Sequence, residues 1–194
     1  MNNNSLNETV LRVKRSPAVH FDDSICPRTN NDKLYGLEFT EFKDFCYNRS
    51  SMKNPYSEER YINTMKKLKK PVKELTPIQK LAMYEANIII LQPRLRERKL
   101  ERSPAGIINL RPECPRTVND ELYGSEFTEF KDECYQKSTI YGLYTEDKHY
   151  KQLQRLNQPV QQLTTIQQLA MYEAHFYVLM ENEPPEYRFV SRHL

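Results

Sequence analysis

One unit is written twice in this chain, 88 residues apart, and that duplication limits the possible folds more than any other feature. Cys26-Pro27-Arg28-Thr29 returns as Cys114-Pro115-Arg116-Thr117, and Leu34-Tyr35-Gly36 as Leu122-Tyr123-Gly124. The run 38–44 returns at 126–132, Cys46-Tyr47 as Cys134-Tyr135, and the matches of segment 71–86 at 159–174. Aligned without gaps, residues 26–92 match 114–180 at 35 of 67 positions. Arg15-Ser16-Pro17-Ala18 also recurs, as Arg102-Ser103-Pro104-Ala105, so the unit begins upstream of its first cysteine. Any site proposed in one copy has to be weighed against its counterpart in the other.

A unit of 67 residues is near the lower size at which a core stands alone, so a covalent staple or mutual packing is expected. With 38% hydrophobic residues, four glycines, no tryptophan and thirteen tyrosines, the composition points to a soluble helical protein. No stretch approaches the ~18 apolar residues of a membrane helix. The net charge of +3 hides an asymmetry: residues 26–92 carry 12 basic and 8 acidic groups, residues 114–180 carry 6 and 9. The copies share a core and differ on the surface.

All four cysteines fall at equivalent places, 20 residues apart in each copy. That placement favours one disulfide per copy, Cys26 with Cys46 and Cys114 with Cys134, a staple of about 3 kcal/mol. The competing reading is four buried thiols in a reducing compartment. Zinc is disfavoured, because metal sites use close pairs such as C-x2-C. Residues 1–7 contain no apolar segment, hence no signal peptide; bonded cysteines would make the chain a mature form with an added methionine. Arg12-Val13-Lys14-Arg15 has the look of a dibasic processing site, and Asn3, Asn7 and Asn48 open N-x-S/T sequons.

Three helices are expected per copy. The first carries Tyr35, Phe39, Phe42 and Cys46 at steps of four, three and four, repeated as Tyr123, Phe127, Phe130 and Cys134; this is one apolar stripe. The second follows Ser57 or Thr145 as N-cap and ends before Pro71 or Pro159. The third opens on Thr76-Pro77-Ile78-Gln79 or Thr164-Thr165-Ile166-Gln167, a cap with a capping-box glutamine. It is apolar around most of its circumference, more than two neighbours can cover. The third helices are therefore expected to pack against each other or the opposite copy.

The divisions read from the chain are a flexible segment 1–14, a first repeat 15–92, a basic connector 93–101, a second repeat 102–180 and a tail 181–194. The fold class is all-α: two tandem three-helix repeats, disulfide-stapled and packed into one helical body.

Each copy holds a cysteine, a tyrosine nine residues on and a second cysteine eleven further: Cys26, Tyr35, Cys46, then Cys114, Tyr123, Cys134. Over residues 26–180 this paired motif resembles the bicycle proteins, the bi-CYC-like salivary effectors of gall-forming and other aphids. The resemblance implies secretion from an insect salivary gland into plant tissue, a helical fold and an effector role.

Nothing in the chain has the pattern of a catalytic centre. His20, His149, His175 and His193 fall at unmatched positions, with Tyr61 and Asn87 standing in copy one where copy two has His149 and His175. No phosphate loop, nucleophile elbow or H-E-x-x-H occurs. Glu38, Glu41 and Asp44, with Glu126, Glu129 and Asp132, lie three apart on one helix face and read as solvated. Tyr35, Tyr84, Tyr123 and Tyr172 read as core tyrosines with anchored hydroxyls.

Lys66, Lys67, Lys69, Lys70 and Lys73 form a basic run against Gln154, Arg155, Asn157, Gln158 and Gln161 in copy two. No aromatics interleave them, so a solvated face or protein-binding surface is favoured over a nucleic-acid or membrane site. The expectation is a secreted, non-catalytic effector without cofactor or metal that binds a host plant protein. Two alternatives are an intracellular helical scaffold with reduced cysteines and an enzyme whose site lies between the copies.

Overall fold

The structure is a computed structural model that describes residues 25–99, 113–139 and 142–181, with side chains only to residue 92 in the first span. The segment 1–14, the dibasic site, the sequons at Asn3 and Asn7, His20, His193 and the tail beyond Glu181 lie outside the described residues. The described residues form six helices in order: α1 Asn30–Tyr47, α2 Glu58–Lys67, α3 Pro77–Lys99, α4 Val118–Lys137, α5 Glu146–Arg155 and α6 Thr165–Glu181. The described residues form no strand, only isolated bridges Ser51 with Asn54 and Thr139 with Gly142.

Local chemistry explains where the helices start. Thr29 and Asp32, like Thr117 and Asp120, form capping boxes, so α1 and α4 begin five or six residues before the apolar stripe that announces them. Ser57 Oγ accepts the Arg60 N–H, and Thr145 Oγ1 that of Lys148. At the third helices Thr76 N–H donates to Gln79 Oε1 at 3.0 Å while Gln79 N–H donates to Thr76 Oγ1 at 3.2 Å; Thr164 and Gln167 repeat both distances. Each box satisfies two donors that a helix start leaves open.

Gly36 and Gly124 alter α1 and α4. Their φ of 74° and 77° with ψ of −156° and −165° break each helix into two arms. Only glycine occupies that region without strain. The spacing predicted one uninterrupted stripe from Tyr35; Gly36 instead lies inside the helix and redirects it. Phe39 and Cys46 are fully buried on the second arm, as are Phe127 and Cys134.

α2 and α5 end before the prolines, through a left-handed turn. Lys69 and Asn157 have φ of 53° and 52°, and the Lys70 and Gln158 N–H groups reach back to the Met65 and Leu153 carbonyls at 3.0 and 2.9 Å. This is a Schellman closure. α3 continues through Pro93 into the region read as a basic connector.

α1 packs on α3, α4 on α6, and α3 on α6. Leu81, Ala82 and Ala86 of α3 and Leu169, Ala170 and Ala174 of α6 are inaccessible to solvent, and one core cluster spans both halves. Tyr84 and Phe176 meet across it with ring centroids 5.6 Å apart, and Ile88, Leu91 and Leu179 form a second cluster along the same helices. The expected packing of the third helices on each other is present, and it buries the apolar surface that two neighbours leave open.

Candidate functional site

Below the stripes lies a feature that the sequence reading missed: a buried ionic cluster in each half. Lys43 and Lys131 have no exposed surface. Lys43 Nζ donates to the Pro27 carbonyl at 3.1 Å, to Glu85 Oε1 at 3.1 Å and, most closely, to Asp32. Lys131 does the same with Pro115, Glu173 and Asp120. Glu85 also accepts from Thr29 Oγ1 at 2.6 Å and Asn31 Nδ2 at 2.5 Å, and Glu173 from Thr117 at 2.7 Å and Asn119 at 2.5 Å. Each lysine thus has its three donors occupied, which is what a buried ammonium requires. Burial alone would raise the Asp32 carboxyl. Its bonds to Lys43, the Thr29 N–H and the Thr40 hydroxyl outweigh that and hold its pKa down to about 2.

The clusters also tie the halves together. Asn31 donates to the Tyr172 hydroxyl at 3.0 Å, and Tyr35 donates to Gln168 Oε1 at 2.7 Å. In the opposite direction Lys80 donates to Asn119 Oδ1 at 2.8 Å and lies 5.7 Å from the Tyr123 ring centroid. The Tyr172 phenol lies in the field of Glu85 and that of Tyr84 in the field of Glu173, and burial, with these carboxylates, raises both phenols. Equivalent residues thus exchange partners across α3 and α6, the pattern of a two-fold interface. The motif tyrosines Tyr35 and Tyr123 sit in this junction, contacting Gln168 and Lys80, which occupy equivalent positions. Asp44 and Asp132, read as solvated, are held by two-pronged bonds from Arg28 and Arg116 at 2.8 to 2.9 Å.

All four cysteines are free thiols, so the expected staples are not formed in the structure. They are also buried. Burial raises each thiol, Cys26 to about 12, and Cys46, Cys114 and Cys134 likewise. A thiol so shifted stays protonated at neutral pH and is a poor nucleophile. Cys26 contributes to the rise at Cys46, and Cys114 to that at Cys134.

Of the histidines, His175 is buried and its Nε2 lies 2.7 Å from the Tyr144 carbonyl. Asn87 does the same work in the first half, donating to the Tyr56 carbonyl at 2.9 Å while accepting from Ser50 at 2.7 Å and the Tyr56 N–H at 3.0 Å. Desolvation lowers His175 to about 4. It lowers His149 too, whose ring meets Phe130 edge-on at 5.2 Å. Both imidazoles contact Tyr144, His149 through its Nδ1 at 3.2 Å from the hydroxyl.

Lys66, Lys67, Lys69, Lys70 and Lys73 are all exposed, and none pairs with an acidic group among the described residues. Those residues contain no cluster of metal-ligating side chains and no helix long and apolar enough to cross a membrane. In comparisons with protein families, curated proteins and solved structures, nothing matches this chain.

Proposed function

We propose that the chain is a secreted, non-catalytic effector that binds an acidic surface of a host plant protein. The carrying observation is the set Lys66, Lys67, Lys69, Lys70 and Lys73, exposed and without an anionic partner among the described residues. The equivalent turn of the second half has Gln154, Arg155, Asn157, Gln158 and Gln161, so the fold makes no demand for charge there. Unpaired surface charge of one sign speeds encounter with a complementary partner and selects among partners. The resemblance to the bicycle proteins supplies the setting, delivery from an insect salivary gland into plant tissue. Exchanging the five lysines for their second-half counterparts is expected to abolish capture of a partner from plant extract without loss of stability. An unchanged captured set would overturn the reading.

In that oxidising setting Cys26 joins Cys46 and Cys114 joins Cys134, each bond closing a loop worth about 3 kcal/mol. The identical placement of the two cysteines in both copies supports this connectivity. The four free, buried thiols favour the other reading, an intracellular helical scaffold. Intact mass of the natural protein before and after reduction separates the two, since only the bonded form gains mass.

A further inference from the structure

A groove of about 290 Å3 opens between α1, α2 and the start of α3. Phe42 and Phe45 form one wall, with centroids 5.8 Å apart and planes at 21°, and Tyr61 meets Phe42 edge-on at 5.7 Å. Met65 adds a polarizable thioether, and Glu38 and Glu41 stand at the rim. Neither carboxylate bonds or pairs with any group among the described residues. We propose that this groove binds a small organic ammonium ion.

The side chains select that chemistry by elimination. Aromatic faces attract cations through their quadrupole, and two carboxylates at the rim disfavour anions. A neutral hydrocarbon would fill the wall but leave Glu38 and Glu41 unmatched. A metal ion would find the carboxylates but gain nothing from three rings and a thioether. An ammonium with alkyl or aryl substituents uses both surfaces, and the volume suits a molecule at the small end of ligand-sized sites. Phe45 already carries the Arg49 guanidinium, 3.8 Å from its centroid, so the rings left to meet a ligand cation are chiefly Phe42 and Tyr61.

The second half provides an internal comparison. Glu126 and Glu129 keep the carboxylates, but Phe45 becomes Glu133, which Lys137 engages, and Tyr61 becomes His149, packed edge-on against Phe130. The charge is in both halves, the aromatic wall in one. The site is therefore expected once per chain, and it does not rest on the effector reading.

Titrating the full chain with choline, followed by calorimetry and by the Met65 methyl resonance, is expected to show saturable binding of one equivalent. The uncharged isostere 3,3-dimethylbutan-1-ol is expected to bind at least tenfold more weakly. Glu38→Gln with Glu41→Gln is expected to weaken choline at least tenfold without changing the melting temperature, and Tyr61→His, which alters a ring packed on the core, to weaken it at least tenfold. Absence of saturable binding, two equivalents per chain, equal affinity for the alcohol, or full affinity in the glutamine variant would each overturn the proposal.

Discussion

Lys43 Nζ lies 3.1 Å from Glu85 Oε1 with neither side chain open to solvent, and Lys131 repeats the contact with Glu173 at 3.2 Å. Removing the cation strands two carboxylates, Asp32 and Glu85, in a medium that solvates neither. Lys43→Met is therefore expected to destabilise the protein by about 3 to 5 kcal/mol, read as a lower denaturation midpoint. Acid acts on the same cluster. Asp32 has a folded pKa of about 2, below the unfolded value near 3.9. Its contribution is therefore complete above pH ~4 and disappears as pH falls toward 2. Wild type should lose more stability across that window than an Asp32→Asn variant.

His175 titrates in a different window. Its folded pKa of about 4 lies below the unfolded value of ~6.5, so the unfolded chain takes up a proton that the folded chain refuses. Stability from this group is complete above pH ~6.5 and falls with acidification, by about 2 kcal/mol between pH 7.5 and 5. His175→Asn, which installs the first-half residue, should keep the donor to the Tyr144 carbonyl and flatten that pH dependence. Urea unfolding at the two pH values measures both; an equal slope in the variant would assign the dependence elsewhere.

Gly36 meets no heavy atom within 4 Å of where a Cβ would stand, so a substitution there tests backbone strain alone. Gly36→Ala and Gly124→Ala are each expected to cost about 1 to 3 kcal/mol. The two should add, because the positions lie in separate helices. A neutral Gly36→Ala would mean that the helix runs straight through this position.

Lys69 holds the left-handed closure of α2, where the second half has Asn157. Asparagine tolerates this conformation better than lysine. Lys69→Asn should raise stability by several tenths of a kcal/mol and up to about 1, whereas Lys66→Gln and Lys70→Gln should leave it unchanged. Thermal melts of the three single variants discriminate the role of Lys69 from bulk charge removal.

Val178 of α6 is fully buried in the core that α3 and α6 share. If the halves form one cooperative unit, Val178→Ala should lower hydrogen-exchange protection in α1 and α3 as much as in α4. Protection lost from α4 and α6 alone would show two independent modules.

Sequence by itself determined the duplicated unit, the helices of the described residues and the caps of α2, α3, α5 and α6, because a capping box, an N-cap serine and a four-three-four stripe act within one or two turns; the Thr29 and Thr117 boxes that start α1 and α4 went unread. It also marked Tyr35 and Tyr123, which face the junction between halves. Tertiary structure decided the rest. Lys43 stands between Phe42 and Asp44 in a string that reads as an ordinary helix, and its partner Glu85 arrives from another helix 42 residues on. The one available signal was that Asp32, Lys43 and Glu85 recur as Asp120, Lys131 and Glu173 while Lys80 becomes Gln168; yet Glu38 and Glu41 recur too and stay at the surface. Gly36 carries no mark of its left-handed conformation, since a glycine also sits unstrained in a helix. The state of the cysteines, the exchange of Tyr84 and Tyr172 between halves and the groove beside Tyr61 depend on which helix faces pack together. That choice is made by the apolar surface α3 and α6 must bury, a property of the assembled helices and of no single segment.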